Sequence, residues 1–207
     1  MAQYHHGNLR NTLLAIAIEL LAEDGVEALS LRKMAQKAGV SHNAPYMHFA
    51  DKEAVLAAIA QEGFRLLTVN VESAISQADN STRQKLIAAS QAYVKFAINH
   101  ANHVQIMFRP VDVAQYPNLE EVAQASLNQL FELVKAGQEN GELIAGDTYE
   151  ITKAIWAMVH GVAILSIAYQ TTNLFSEKTS RRDVVSVFVN LLLDGIAVYS
   201  ISDNRSF

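Results

Sequence analysis

The sequence predicts an all-α protein, in which an N-terminal three-helix domain is followed by a bundle of longer helices. Apolar residues recur at helical spacing along most of the 207 residues, and only 3 residues are proline. About half of the residues are hydrophobic (50%) and 18% are charged, as in a folded globular chain. The helical patterns are short at first and longer later, so we expect two parts of different architecture.

The composition and the N-terminus narrow the class of protein. The chain has no cysteine, which excludes disulfides and thiolate zinc sites and fits a cytoplasmic protein. The first six residues do not resemble a signal peptide. The most apolar run, 154–168, falls short of the roughly 20 residues that span a bilayer, so we expect a buried helix and no membrane association. A net charge of −5 argues against non-specific coating of nucleic acid but allows a small DNA-reading face.

Three helices are predicted at the N-terminus. The first should span 8–24 and end at Gly25, which suits a left-handed stop position. Ser30 is a candidate N-cap for a short second helix, and Gly39 should break the chain after it. A third short helix is expected over 41–49.

The longer helices begin at residue 52. Asp51 can cap a helix over 52–76, and the boundary between the two parts should fall inside it, giving domains 7–67 and 68–207. The later helices are expected at about 82–100, 103–109, 119–140, 148–170 and 181–201.

Two short helices joined by a glycine-containing turn are typical of a helix-turn-helix. The second helix must bury Leu31, Met34 and Ala35, while Gly39 permits the turn. The N-terminal residues of the third helix are then expected to project outward, where they could enter a major groove.

This segment resembles the TetR/AcrR family of bacterial regulators. The resemblance rests on Gly25, Leu31-Arg32-Lys33-Met34-Ala35, Ala38-Gly39-Val40-Ser41, Tyr46, His48-Phe49 and Lys52. It implies sequence-specific binding to a near-palindromic operator, with repression as the usual mode of the family. Pro45 departs from the family pattern, which usually has Leu or Phe before the tyrosine. The recognition helix could therefore be capped by either Ser41 or Asn43.

Nine side chains are candidates for DNA contact by this resemblance. Asn43 could read adenine or could only cap its helix. Tyr46, His48 and Lys52 match the phosphate-contacting positions of the family, which set register rather than sequence preference. The full set is Arg32, Lys33, Ser41, His42, Asn43, Ala44, Tyr46, His48 and Lys52.

The C-terminal part carries a second resemblance. Residues 156–161, Trp-Ala-Met-Val-His-Gly, resemble the WHG motif of one TetR subgroup, whose C-terminal domain binds a small molecule and forms the dimer. The helices around 155–168 and 184–198 are apolar nearly all round, so a partner subunit should cover what one chain leaves exposed. The candidate dimer residues are Val162, Leu165, Phe188, Leu191, Leu192 and Ile196. Gly161 and Gly195 lie inside these helices, where close approach to a helix or a ligand would explain them.

A small-molecule pocket is expected in the same part of the chain. Its candidate residues are Tyr93, Phe96, Met107, Phe108, Trp156, His160 and Tyr169. His160 could equally be a core histidine hydrogen-bonded to the backbone of a neighbour. His100 and His103 lack a nearby carboxylate, so we expect no metal and no cofactor.

Two other classes of function are left open by the residues alone. No nucleophile elbow, phosphate-binding loop or zinc-binding motif is present, so we expect no catalytic residues and no enzyme. In a helical adaptor protein the helix-turn-helix would be only structural, which would not require Tyr46, His48 and Lys52. The sequence therefore favours a homodimeric DNA-binding regulator with an unidentified effector.

Overall fold

The computed structural model describes residues 9–168 and 181–196, and every regular element in these ranges is helical. The all-α prediction is confirmed. The helices are α1 Leu9–Ala28, α2 Leu31–Ala38, α3 Lys52–Ser76, α4 Thr82–Asn99, α5 Ala101–Met107, α6 Pro117–Glu139, α7 Thr148–Ala168 and α8 Arg181–Ile196. Two short 3-10 helices lie at Ala44–Met47 and Val113–Gln115.

The chain divides into two compact units by its internal contacts. The first unit comprises Met1–Arg65 and His100–Ala123, and the second comprises Leu66–Asn99 and Gln124–Phe207. Helix α3 belongs to both, because the division falls inside it. Helix α5 and the start of α6 group with the N-terminal helices, although they follow α4 in sequence.

The start and end signals of the N-terminal helices act as the sequence predicts. Gly25 breaks the helical path of α1 with a φ of 76°. The Ser30 side chain caps α2 by accepting a hydrogen bond from the backbone N–H of Lys33 at 3.2 Å. Gly39 ends α2 in the left-handed conformation, with a φ of 67°. The small core between these helices includes Leu13 and Met34, both fully buried.

The third helix differs from the prediction. The expected helix over 41–49 is a single 3-10 helix, Ala44–Met47, preceded by a turn. Pro45 has no N–H and so cannot donate to Ser41; instead Ala44 donates to the Ser41 carbonyl at 2.9 Å, in the tighter i to i+3 pattern. Tyr46 likewise donates to the Asn43 carbonyl at 3.2 Å. The proline therefore shortens and tightens this element.

In the second unit, α4 packs against both α7 and α8. Arg83 of α4 donates to the Asn190 side chain at 2.8 Å and pairs with Asp194 at 2.7 Å. Gln91 donates to the Ser186 hydroxyl at 2.8 Å. These polar contacts flank a buried apolar layer that includes Leu86, Ile155, Val189 and Leu193.

In the described part of the chain, two helices, α3 and α7, are long and apolar enough to cross a membrane by length and composition alone. By sequence the apolar run of α7 is too short to span a bilayer, but the helix that contains it has 21 residues. Within one chain, 50% of the most apolar window of α3 is buried, against 22% for α7. The expectation that α7 is buried is thus only partly met by its own chain, and an exposed apolar side is left.

Candidate DNA interface and ligand site

The turn before the 3-10 helix presents three polar side chains to solvent. Ser41, His42 and Asn43 are all exposed. Asn43 occupies the N-cap position, but its side chain makes no capping hydrogen bond. The sequence leaves open whether the Asn43 side chain reads a base or caps its helix, and in this structure it does not cap the helix. Its amide is placed where it can meet another molecule.

The 3-10 helix and the two residues after it combine buried anchors with exposed side chains. Pro45 and Phe49 are buried, whereas Tyr46 is 56% exposed and Met47 is 84% exposed. Ala44 and His48 are half-buried. Arg10 of α1 lies over the Phe49 ring, with 5.3 Å from the guanidinium carbon to the ring centroid. The anchors thus fix the backbone that carries Tyr46 and Met47.

Met47 is a candidate that the sequence analysis missed. It lies between two positions assigned to phosphate contact, Tyr46 and His48, and no motif position pointed to it. Its exposure in the structure is what makes it a candidate. An exposed apolar side chain at a DNA-reading surface suits contact with the methyl group of thymine.

Two of the three basic residues of α2, Lys33 and Lys37, pair with acids of α1. Lys33 lies 3.2 Å from Asp24, and both side chains are nearly half exposed. Lys37 lies 2.8 Å from Glu23 and 3.2 Å from Glu19. Such exposed ion pairs are worth about 0–1 kcal/mol, so a phosphate could replace Asp24 on Lys33. Lys37, with two acids, is less available.

Lys52 is positioned by the start of α3. Asp51 caps this helix by accepting a hydrogen bond from the backbone N–H of Ala54 at 2.8 Å, as predicted. Lys52 is the first helical residue, and its amine lies 3.9 Å from a carboxylate oxygen of Glu27. The ion pair is loose. Arg32 is exposed on α2. The nine predicted side chains thus lie on α2, the turn, the 3-10 helix and its C-cap His48, and the first residue of α3.

In the second unit, three of the predicted ligand residues lie together. The Tyr93 hydroxyl is 2.8 Å from Nδ1 of His160. The Trp156 ring stacks on the His160 ring at a centroid distance of 5.4 Å. Burial raises the pKa of Tyr93 and lowers the pKa of His160, so both groups favour their neutral forms. His160 thus has a side-chain partner, as a hydrogen-bonded core histidine would.

The remaining ligand candidates are not part of this group. Phe96 is buried in α4. Met107 and Phe108 belong to the first unit, where they line an open cavity. Tyr169 lies outside the described residues.

Helices α7 and α8 expose apolar side chains that the described part of the chain does not cover. Leu165, Phe188 and Leu191 of the predicted dimer set are exposed, while Val162, Leu192 and Ile196 are half-buried. Ile164 and Val187 are also exposed, although the sequence analysis did not include them.

Among the described residues, no close approach is present at Gly161 or Gly195. A Cβ at either residue would have no described neighbour within 4 Å. If these glycines serve a close contact, its partner is not among the described residues.

Two family models match the chain. Bacterial regulatory proteins of the tetR family match residues 13–59, which cover the helix-turn-helix. The tetracyclin repressor-like C-terminal domain matches residues 86–186.

The chain is similar to individual proteins over different lengths. The class A tetracycline repressor of transposon 1721 from Escherichia coli is 36% identical over 83 residues, which are 40% of this chain and 37% of the repressor. This chain therefore matches little more than a third of that relative. The structure of a Rhodococcus sp. RHA1 protein of unknown function is 34% identical with a TM-score of 0.82, covering 96% of this chain and 100% of that one.

A second similar structure is that of the regulator FadR from Bacillus subtilis in complex with stearoyl-CoA. It is 20% identical with a TM-score of 0.74 and covers 90% of this chain and 98% of that one, which shows a shared fold. The two family models together reach from the first helix to the start of α8. The chain belongs to the TetR family of bacterial regulatory proteins.

Proposed function

We propose that the protein is a transcription regulator, acting as a repressor in the cytoplasm, that binds a near-palindromic operator as a homodimer. The observation that carries the proposal is the exposed polar turn at residues 41–43 on a closed three-helix core. Family membership supports the same activity. No feature of the described residues favours an enzyme.

The DNA contacts divide by chemistry into two sets. Arg32, Lys33, Tyr46, His48 and Lys52 would bind phosphates and set the register of the protein on the duplex. The turn residues Ser41, His42 and Asn43, with Ala44, would approach base edges in the major groove. Residues 7–67 would form this DNA-reading domain, and 68–207 would bind the effector and form the dimer.

A second copy of the chain is the proposed partner of α7 and α8. Their exposed apolar side chains, including Leu165, Phe188 and Leu191, would be expensive to leave in water. A two-fold axis would bring the same helices of two subunits into a four-helix interface. It would also hold two recognition elements about 34–36 Å apart, which matches successive major grooves.

An effector would act by binding two conformations of the dimer with different affinity. The group formed by Tyr93, Trp156 and His160 is the proposed effector site in the second unit. The stearoyl-CoA complex of the Bacillus subtilis structure supports the idea that this fold can hold a small molecule.

The test is selection of bound DNA from a random pool with the full-length protein. We expect an inverted-repeat consensus. Lys52→Ala should weaken binding to it, while Lys153→Ala, which removes an exposed lysine of α7, should not. A selection that enriches no sequence, or equal effects of the two lysine variants, would refute the proposal.

A further inference from the structure

The N-terminal part of the first unit carries no excess of positive charge, although DNA-binding surfaces generally do. Residues 1–53 contain five Lys or Arg and six Asp or Glu. Four of these acids lie on α1, and each of them pairs with a lysine of α2 or α3: Glu19, Glu23, Asp24 and Glu27. Carboxylates of the same chain therefore occupy these lysines before any duplex is bound.

The lysine farthest along α2 is held by two acids. The Lys37 amine lies 2.8 Å from a carboxylate oxygen of Glu23 and 3.2 Å from one of Glu19. The hydrogen bond to Glu23 raises the pKa of Lys37, and burial opposes this with a smaller effect. Because either acid can be lost while the other stays, Lys37 is a tie between α1 and α2 and not a free phosphate ligand.

The two lysines proposed to bind phosphates have one acid each. Lys33 lies 3.2 Å from Asp24, and Lys52 lies 3.9 Å from Glu27. The Glu27 side chain is 98% exposed, so its carboxylate is already hydrated and can turn away from Lys52. A single exposed ion pair stabilises a protein only weakly. A phosphate that comes close enough can therefore replace either acid.

We propose that Asp24 and Glu27 are specificity-determining residues, because they compete with DNA phosphates for these two lysines; the inference rests on the proposed function. At an operator, base contacts hold the protein close to the duplex, so both lysines leave their acids and bind phosphates. On DNA of another sequence those base contacts are missing and the protein docks loosely, so the lysines keep their acids. The two carboxylates thus weaken non-specific binding more than operator binding.

The two modes of binding predict different gains when an acid is removed. Glu27→Gln frees Lys52 for non-specific DNA, and one added phosphate contact steepens the dependence of log affinity on log salt by about 0.9. That change is close to tenfold in affinity at about 0.1 M salt. At the operator Lys52 binds a phosphate in either protein, so the variant gains only the cost of opening a loose ion pair, about twofold. Asp24→Ala should act in the same way through Lys33.

The experiment measures the affinity of the full-length protein for the selected operator and for a scrambled duplex of the same length, by fluorescence anisotropy at several salt concentrations. Each variant should gain close to tenfold on the scrambled duplex and about twofold on the operator. Equal gains on the two duplexes, or no gain on either, would overturn the proposal.

The matched control is Glu19→Gln. It removes the same charge from the same helix, but its partner Lys37 keeps Glu23, so no lysine is freed. We expect its affinity for either duplex to change by less than about twofold. If Glu19→Gln gains as much on the scrambled duplex as Glu27→Gln does, net charge explains the effect and the assignment is wrong.

A double variant tests whether Glu27 acts through Lys52. In a Lys52→Ala background, Glu27→Gln should leave the affinity for the scrambled duplex unchanged, because no lysine remains to be freed. An undiminished gain in that background would mean that Glu27 repels DNA directly, and competition for the lysine would be refuted. Circular dichroism confirms that each variant is folded.

Heparin, a polyanion without bases, separates this inference from the proposed function. Asp24→Ala and Glu27→Gln should elute from a heparin column at higher salt than the wild-type protein and Glu19→Gln. Elution of all four proteins at the same salt concentration would refute competition for the lysines. If the expected order is found but no duplex sequence is selected, the competition stands, while operator specificity and the proposed function are both refuted.

Discussion

The two ends of this molecule use apolar residues in opposite ways. Around the DNA-reading segment, residues 41–49, the large apolar side chains of α1 and α2, such as Leu13 and Met34, are fully buried by their own chain. On α7 and α8, Leu165, Phe188 and Leu191 remain exposed in one subunit. The first region therefore buries its apolar core within one chain, whereas the second has an exposed apolar surface that another molecule can cover.

Helix glycines show the same contrast. A Cβ at Gly63 or Gly137 would lie 2.5 Å from a neighbouring side-chain atom, so these residues are needed for packing inside one chain. A Cβ at Gly161 or Gly195 would meet nothing within 4 Å. Since an interior glycine costs a helix about 1 kcal/mol relative to alanine, the open pair has no stabilising role within the described chain.

The largest predicted effect separates the two regions by oligomeric state. Leu191→Glu should convert the proposed dimer to monomers, because burying an unpaired carboxylate at the proposed interface would cost about 3–5 kcal/mol. The matched control is Val69→Glu on α3, since Val69 is 64% exposed and Leu191 is 66% exposed. Sedimentation over a dilution series measures the result. If both variants dissociate, or if neither does, the predicted difference between the surface of α8 and that of α3 is wrong.

A second prediction compares the two kinds of glycine. Gly63→Ala should lower the free energy of unfolding by about 1–3 kcal/mol, because the new methyl group overlaps Met107. Gly161→Ala should stabilise an isolated helix by up to about 1 kcal/mol but weaken the dimer if a partner packs there. Denaturant titration at two protein concentrations distinguishes these effects. A more stable Gly63→Ala protein would show that the packing at α5 is looser than the structure indicates.

A third prediction tests how the exposed apolar residue of the reading segment differs from its basic neighbours. Met47→Ala should cost about 1 kcal/mol of operator binding, concentrated at one thymine, without changing the salt dependence. Lys52→Ala should instead reduce the slope of log affinity against log salt by about 1. Fluorescence anisotropy at several salt concentrations measures both. A salt slope altered by Met47→Ala would argue against a direct contact with a base.

The smallest predicted effect concerns pH. Burial lowers the pKa of His103, with opposing contributions from Glu62, which raises it, and His100, which lowers it further. The unfolded chain therefore binds a proton at higher pH than the folded chain, so stability is present above about pH 6.5 and is lost as pH falls toward the folded pKa. His103→Leu should flatten this loss.

Thermal unfolding between pH 7 and 5 measures the difference, with His160→Leu as the comparison in the second unit. If the wild-type and His103→Leu proteins lose stability in parallel as the pH falls, the pKa of His103 is not lowered in the folded chain and the prediction is wrong. Nε2 of His103 is also buried and has no hydrogen-bond partner among the residues that the structure describes, which is consistent with a cost of burial at this site.

Local signals were sufficient to predict much of the first unit. Ser30, Gly39 and Asp51 act as predicted because capping depends on residues only three or four positions apart. The bounds of α3, Lys52–Ser76, also agree with the sequence pattern. The recognition element was predicted too long because the consequence of Pro45, one missing backbone donor, was treated as a choice of cap rather than a change of helix type.

Long-range contacts could not be predicted in the same way. The hydrogen bond between Tyr93 and His160 joins residues 67 positions apart, and its existence depends on how α4 packs on α7. The exposure of Met47 and the open surroundings of Gly161 are likewise properties of packing, which periodicity does not record. The motif therefore located the reading segment, while the structure determined which side chains it presents.

The buried proline of that segment has a consequence for the thermodynamics of operator recognition. Its ring fixes φ near −65°, and its burial holds the adjoining turn in one place, so the loop has little backbone freedom to lose on meeting a duplex. Association should then proceed without an ordering step, at a rate set by diffusion and charge, and the heat capacity change should reflect the contact area alone.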